Sequence, residues 1–407
     1  MLRRVRSIDL SLAALVFTVG FCSVAAASRS RLPPPPTTND LVSEQALQQL
    51  SAAIQSYERM ARAGGWPTLP RRLSLRPGDS DQNVLILRQR LKATGDLPAN
   101  VPDAYEYDEN VRAAVINYQL RNGLQPTGKV FGVTLRSLNA SVGYRLKQMR
   151  ANLARMQQLL PKLTTNRYLL MNASSFEVQG VSNGRVEIAS RTIVGKRQTP
   201  TPVVSASVRA VNLLPYWHVP GTIAQRALVP AIQKDPTYLF KQHIRVFSSF
   251  GGEEIDPSTV NWWGPESKRY VFRQDPGAHN ALGVIRLDMP NKHIVYMHDT
   301  PMKQLFNAYE RAYSAGCVRV QTVQDIAAWL INGHQGWTRD RIVQSIAAGQ
   351  RKTIKLPKSV PVHFIYLTAW VENGRVQFRN DLYNRDGELR AKAGPRLSSM
   401  HQSFVTP

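Results

Sequence analysis

The spacing of apolar residues changes period at Arg167, and that change divides the chain. From residue 40 to residue 160, apolar side chains recur mostly three and four apart, the period of an amphipathic helix. Beyond it, RYLLMNASSFEVQG and RVEIASRTIVG have strand character, with Ser182-Asn183-Gly184 between them as a hairpin turn. Further strands are predicted over 283–288 and 293–298. A final hairpin within VPVHFIYLTAWVENGRVQFRNDLY turns at Asn373-Gly374. Helices in front and strands behind make the class multidomain α+β, and 407 residues leave room for two or three domains with real cores.

The helical part subdivides. Residues 28–70 are expected to be a linker with a short helix: Pro33 to Pro36 form a stiff spacer, residues 40–63 have helical character, and Gly64-Gly65 stop it. Residues 71–140 are expected to form a three-helix unit. Asp81 and Asp108 stand where N-caps belong, Gly95 and Gly123 where helices end, and Pro126-Thr127-Gly128 leads into a third helix around Leu135 and Leu138. Residues 141–162 give a connecting helix with Val142, Leu146, Met149, Leu153, Met156 and Leu160 on one stripe, ended by Pro161. The β region spans 165–390, interrupted over 221–279 by an insertion with the helical run TIAQRALVPAIQKDPTYLFKQH and the pair Trp262-Trp263. Residues 391–407 are a tail.

The first 27 residues resemble an export signal. Arg3, Arg4 and Arg6 precede an apolar run from Leu10 to Ala27 that ends in small residues, and an uncleaved membrane anchor is the alternative. The chain has two cysteines, Cys22 inside that segment and Cys317, so an exported, cleaved protein keeps one unpaired thiol, which favours a reactive role. Net charge is +24, of which the first 27 residues carry three arginines and one aspartate, leaving +22. For an exported chain this suggests an anionic envelope polymer or a membrane surface as partner in place of nucleic acid; a generally basic surface explains it equally.

The candidate chemistry lies between Tyr296 and Gln321. His298 ends an apolar run, and Cys317 follows nineteen residues later within Ser-Ala-Gly-Cys-Val-Arg. A thiol attacks as thiolate, and an imidazole can take its proton. Gly316 allows a tight turn that turns amides toward a developing oxyanion. A buried cysteine and an unrelated core histidine are the plain alternative.

Two stretches carry a resemblance. LRPGDSDQNVLILRQRLKATGDL with YDENVRAAVINYQLRNGLQPTGKVFGVTLRSLN resembles the peptidoglycan-binding-like three-helix domain. His298 within HDTP, then Ser314-x-Gly316-Cys317-x-Arg319, resembles the signature of the L,D-transpeptidase catalytic domain, the YkuD-type fold. IVGKRQTPTP, NLLPYWHVPGTI, PGAHNALG and VPVHFIYLTAW are similar to the larger proteobacterial members, in which an insertion caps the active site.

The resemblance implies a mainly-β catalytic domain with a helical capping insertion. It implies that Cys317 attacks the carbonyl between the third stem residue and the terminal D-Ala, while His298 holds it as thiolate and later deprotonates the incoming amine. It places the backbone carbonyl of Asp299 on the histidine, the amides of Gly316 and Cys317 in an oxyanion hole, and Tyr296 beside that hole. Arg319 pairs with a stem carboxylate or a structural acid, Ser314 fixes the loop, and Asn280 lines or braces the site. Trp262 and Trp263 are expected either in a lid or in the insertion's own core. His218, His279 and His293 lack partners at metal spacing, so neither metal nor cofactor is expected. The expected protein is a periplasmic enzyme acting on peptidoglycan stem peptides to form 3-3 cross-links and acylated by carbapenems. The rivals are a hydrolase of the same fold, a transpeptidase that attaches an outer-membrane protein, and a silent wall-binding scaffold.

Overall fold

A computed structural model describes residues 40–387, so the expected export signal over 1–27 and the tail over 391–407 lie outside it. Fifteen strands follow the helical part. They are β1 (Arg167–Asn172), β2 (Glu177–Ser182), β3 (Arg185–Gly195), β4 (Val204–Leu213), β5 (Trp217–His218), β6 (Ile244–Phe247), β7 (Glu254–Ile255) and β8 (Val271–Gln274). The rest are β9 (Ile285–Asp288), β10 (Met297–His298), β11 (Ala312–Ser314), β12 (Val318–Val320), β13 (Lys352–Ile365), β14 (Ala369–Glu372) and β15 (Arg375–Phe378).

Nine of these pair in the order β11-β3-β12-β10-β9-β4-β13-β1-β2, and β2 also pairs with β3, so eight strands close on themselves with β11 added beside β3. Closure removes the free edges. Strands β1 and β13, β10 and β12, and β11 and β3 run parallel, and the other pairs are antiparallel. Leu169, Met171, Val211, Leu287, Met297, Val318 and Phe364 fill the interior with their neighbours. The stretch RYLLMNASSFEVQG is two strands, not one: the chain reverses at 173–176, where Phe176 takes a φ of 60°. The hairpin at Asn183-Gly184 forms as expected, with φ of 49° and 73° at the two turn residues.

Outside the barrel lies a second core. On β1, Leu169 and Met171 face the interior while Tyr168 and Leu170 face outward, so this strand is buried on both sides. The outward set packs on Leu50, Ile54 and Tyr57 of the helix Glu44–Arg62, on Met149 and Met156 of the helix Val142–Leu159, and on Trp370 and Phe378 of the β14–β15 hairpin.

The three-helix unit comprises Gln82–Ala93, Glu109–Arg121 and Gly132–Leu138 around Leu87, Leu91, Val115, Tyr118 and Leu138. Asp81 and Asp108 cap the first two helices by accepting from the amides of Asn83 and Val111 at 2.7 and 2.9 Å. The unit is tied to the β14–β15 hairpin. Buried Arg121 pairs with Asp96 and donates to the Val376 carbonyl at 3.1 Å, and Arg379 donates to the Arg121 carbonyl at 3.0 Å.

The insertion is mixed, not purely helical. Short helical turns over 221–241 lie between the first and the remaining strands of a separate four-stranded sheet, β5-β8-β6-β7, closed on Phe272, Val246 and Trp262.

Candidate active site

Strand register alone brings the candidate residues together. In the parallel pair β10–β12, Met297 stands opposite Val318 and His298 opposite Arg319, and the Val318 amide donates to the Tyr296 carbonyl at 3.0 Å. Alternation then puts Met297 and Val318, both fully buried, into the barrel interior. Tyr296, His298, Cys317 and Arg319 share the opposite face. Arg286 of β9 joins them as the antiparallel partner of His298.

His298 is buried, and its Nδ1 lies 2.5 Å from the Asp299 carbonyl oxygen. A carbonyl only accepts, so Nδ1 carries the hydrogen and Nε2 keeps the lone pair. The Asp299 carboxylate does different work. It pairs with Lys303 and accepts from the Val284 amide at 3.1 Å, and a Cβ at Gly283 would come within 2.5 Å of it. It braces the turn before β9 and is not a third member of a catalytic row.

The nucleophile loop is held by its own hydrogen bonds. Ser314 donates from Oγ to the Cys317 carbonyl at 2.5 Å and accepts from the Gly316 amide at 3.0 Å. Gly316 has a φ of 123°, open to glycine and strained for other residues. Its amide is thus committed to Ser314, which corrects the expectation that it faces an oxyanion. The Cys317 amide remains from that pair, and the Tyr296 hydroxyl, hydrogen-bonded to the thiol, sits alongside.

Charge at the site is one-sided. Burial, then the Arg319 cation, push His298 down to about 3, against the opposing carbonyls of Asp299 and Leu282. Burial raises the Cys317 thiol, with Tyr296 and Arg319 working against the rise. Both shifts favour the neutral forms, a thiol and an imidazole, over the expected thiolate–imidazolium pair. Among the described residues no hydrogen bond joins the two. Tyr296 is pushed up to about 12 by burial and by the neighbouring sulfur, and its ring meets His298 edge-on at 5.7 Å.

Arg319 has no carboxylate partner among the described residues. Its Nε is buried without a hydrogen bond, and Nη1 reaches the Met302 sulfur at 3.6 Å. It lines a cavity of about 380 Å³ shared with Trp217, Tyr238, Gln242, Gln274 and Met302, between the insertion and the loop after His298.

Three expected substrate contacts are placed elsewhere. Asn280 is fully buried and spent: Nδ2 donates to the carbonyls of Asp275, Pro215 and Gln274, and Oδ1 accepts from the Leu282 amide. It braces the root of the insertion. Trp262 is core, its ring tilted against Phe272 and its Nε1 donating to the Pro257 carbonyl at 3.1 Å, while Trp263 is 72% exposed. Neither lines the cavity. Trp217 does, and its side chain reaches Tyr296.

Sequence reasoning missed the support behind the loop. Thr201 Oγ1 donates to the Gly316 carbonyl at 2.8 Å and accepts from the Gly195 amide at 2.9 Å, and the Tyr383 hydroxyl donates to the Gly195 carbonyl at 2.6 Å. The motif IVGKRQTPTP contains two of these residues but says nothing of what they touch.

Two family models match parts of the chain. Residues 166–342 match the YkuD family, described as the L,D-transpeptidase catalytic domain, and residues 80–138 match the family described as "Putative peptidoglycan binding domain". A curated relative from Haemophilus influenzae, "Putative L,D-transpeptidase", is 32% identical over 222 residues, 54% of this chain and 45% of that protein, so the match spans less than half of the relative. Among solved structures, an L,D-transpeptidase from Mycobacterium smegmatis is similar at 13% identity over 49% of this chain and 58% of that one, with a TM-score of 0.25. One from Xylanimonas cellulosilytica is similar at 17% identity over 74% and 98%, with a TM-score of 0.23.

Proposed function

We propose that this chain, which matches the L,D-transpeptidase catalytic domain over residues 166–342 and a peptidoglycan-binding domain over residues 80–138, is a periplasmic enzyme that joins peptidoglycan stem peptides through a thioester on Cys317. The observation that carries this reading is the shared face: a thiol and an imidazole whose Nδ1 is held by a carbonyl, beside an unpaired guanidinium, under an insertion.

The donor is a tetrapeptide stem. Its carboxylate enters the cavity and pairs with Arg319, which lacks an acid of its own. The thiol proton passes to Nε2 of His298 as sulfur bonds to the carbonyl carbon of the third residue. The Cys317 amide and the Tyr296 hydroxyl receive the developing oxyanion. The carbon–nitrogen bond to D-Ala breaks, and D-Ala leaves with the proton from His298. The side-chain amine of a second stem then attacks the thioester, His298 takes its proton, and the thiol is restored. The result is a 3-3 cross-link. The thioester keeps the energy of the broken peptide bond, so water must be excluded until the amine arrives, a task that falls to the insertion. Export follows from the basic and apolar segment over 1–27. A carbapenem should acylate Cys317 by the same attack.

The test is mass spectrometry of disaccharide-tetrapeptide after incubation with the protein and with Cys317→Ala. A cross-linked dimer short of one D-Ala, formed only by the unaltered protein, supports transpeptidation. Tripeptide alone would reassign the site to hydrolysis, and a product in the Cys317→Ala reaction would remove the thioester from the mechanism.

A further inference from the structure

A second cleft, of about 370 Å³, lies on the outer face of β4 and β13, where the end of the helix Val142–Leu159 and the segment after β15 close over the barrel. It shares no lining residue with the cavity at Arg319. Val362 and Phe364 point into the barrel, so His363 between them points outward, and Ser205, its partner on β4, lies beside it.

Two buried nitrogens here lack hydrogen-bond partners. His363 is 5% exposed; its Nδ1 lies 2.8 Å from Ser205 Oγ, and its Nε2 is buried without a hydrogen bond. The Ser205 hydroxyl can donate to Nδ1, which leaves Nε2 with its hydrogen. Arg385 has a buried Nη1 without a partner, and its guanidinium rests over the rings of Tyr366 and Tyr383 at 5.3 and 5.0 Å. Lys162 has no carboxylate partner among the described residues. Burial and the Lys162 charge both hold His363 neutral, so it serves as a donor without adding charge.

The remaining cation and acid satisfy each other. Arg155 pairs with Asp386 at 2.7 Å and donates to the Tyr366 and Arg385 carbonyls. Two cations and the unpartnered Nε2 of His363 thus face a hollow whose other walls are Leu159, Val203 and Ile365. Lys162 is exposed at the rim, but His363 Nε2 and Arg385 Nη1 are buried, and leaving each unpaired costs about 1–3 kcal/mol, so an acceptor-rich group is favoured there. The apolar walls favour a body that is not itself charged.

We propose that this cleft is a ligand site for an amphipathic anion. Its oxyanion head meets Lys162, Arg385 and His363, and its apolar part lies along Leu159, Val203 and Ile365. The inference rests on the cleft and not on the reaction at Cys317.

The experiment is isothermal titration calorimetry of the full chain with hexyl phosphate, inorganic phosphate and hexanol, repeated with Arg385→Gln and Lys162→Gln. The expected result is saturable one-to-one binding of hexyl phosphate, weaker binding of the other two, and a loss of about tenfold in affinity in each variant, as expected for one charged hydrogen bond. Protein alkylated at Cys317 should bind equally well. Thermal melts of both variants establish that each is folded. No saturable binding, equal affinity in both folded variants, or loss of binding on alkylation would overturn the proposal. Sedimentation with phosphatidylglycerol vesicles, against phosphatidylcholine vesicles, distinguishes the source. Arg385-dependent sedimentation assigns a lipid headgroup, and binding of the soluble probe alone assigns a free amphiphile.

Discussion

Gly195→Ala should damage the nucleophile loop without touching a reacting atom. Gly195 has no positive φ, so the backbone tolerates alanine and the question is one of space. A Cβ there would lie 2.0 Å from the Thr199 carbonyl oxygen, 2.8 Å from the Thr201 nitrogen and 3.1 Å from the Gly316 Cα. The first contact falls about 1.5 Å short of a normal separation. All three neighbours are backbone, so none can rotate away. Relief requires the 199–201 turn to part from β3, which endangers the bonds from Gly195 to Thr201, from Tyr383 to Gly195 and from Thr201 to Gly316. Overpacking costs about 1–3 kcal/mol and each lost hydrogen bond about 1 kcal/mol, so a destabilisation of about 2–5 kcal/mol is expected. Urea unfolding measures it, and iodoacetamide labelling of Cys317 reports the loop. Gly221→Ala is the control, since its Cβ meets nothing and its φ is ordinary. If Gly195→Ala unfolds within ~0.5 kcal/mol of the unaltered protein and labels at the same rate, the packing argument for this loop is refuted.

Tyr383→Phe removes only the hydroxyl on Gly195 and should cost about 1 kcal/mol in urea unfolding, with altered labelling of Cys317. Trp262→Ala empties the core of the insertion and should cost about 3–5 kcal/mol, whereas Trp263→Ala should stay within ~0.5 kcal/mol; the reverse order by the same assay would restore a lid role to Trp263. The pH dependence of Cys317 alkylation should have its midpoint above that of a free thiol, because burial raises the thiol, and Tyr296→Phe should move it higher still. His298 titrates near ~6.5 in the unfolded chain and about 3 in the folded one. As pH falls, the unfolded chain takes the proton first, so stability is lost between those values, and His298→Gln should flatten that part of the urea midpoint against pH.

What the sequence made legible followed from local rules. The caps at Asp81 and Asp108 and the turn at Asn183-Gly184 are short-range chemistry, and each stands where its residues call for it. The partnership of His298 with a carbonyl came from resemblance, and the geometry has it. Barrel closure was not legible, because the β1–β13 and β3–β12 pairings join segments far apart in the chain whose register no local pattern states. The same reason hid Gly195, Thr201 and Tyr383, since Tyr383 meets Gly195 across 188 residues of chain. For Trp262 and Asn280 the sequence left two readings open, and burial decides between them: one is packed in the insertion's core and the other is a fully hydrogen-bonded brace.

The charge at the site gives the arrangement its logic. A buried imidazole held neutral is a base with little affinity for a proton at rest, and a buried thiol held neutral resists oxidation and stray acylation. Arg319 causes part of the first effect and opposes the second. A substrate carboxylate placed against Arg319 would neutralise the cation that disfavours imidazolium, raising the proton affinity of His298 when a donor is present. Proton transfer from Cys317 is then coupled to occupancy of the cavity at Arg319. An uncharged donor analogue that lacks the carboxylate should therefore lose rate in acylation as well as affinity, and a loss confined to affinity would show that Arg319 only holds the substrate.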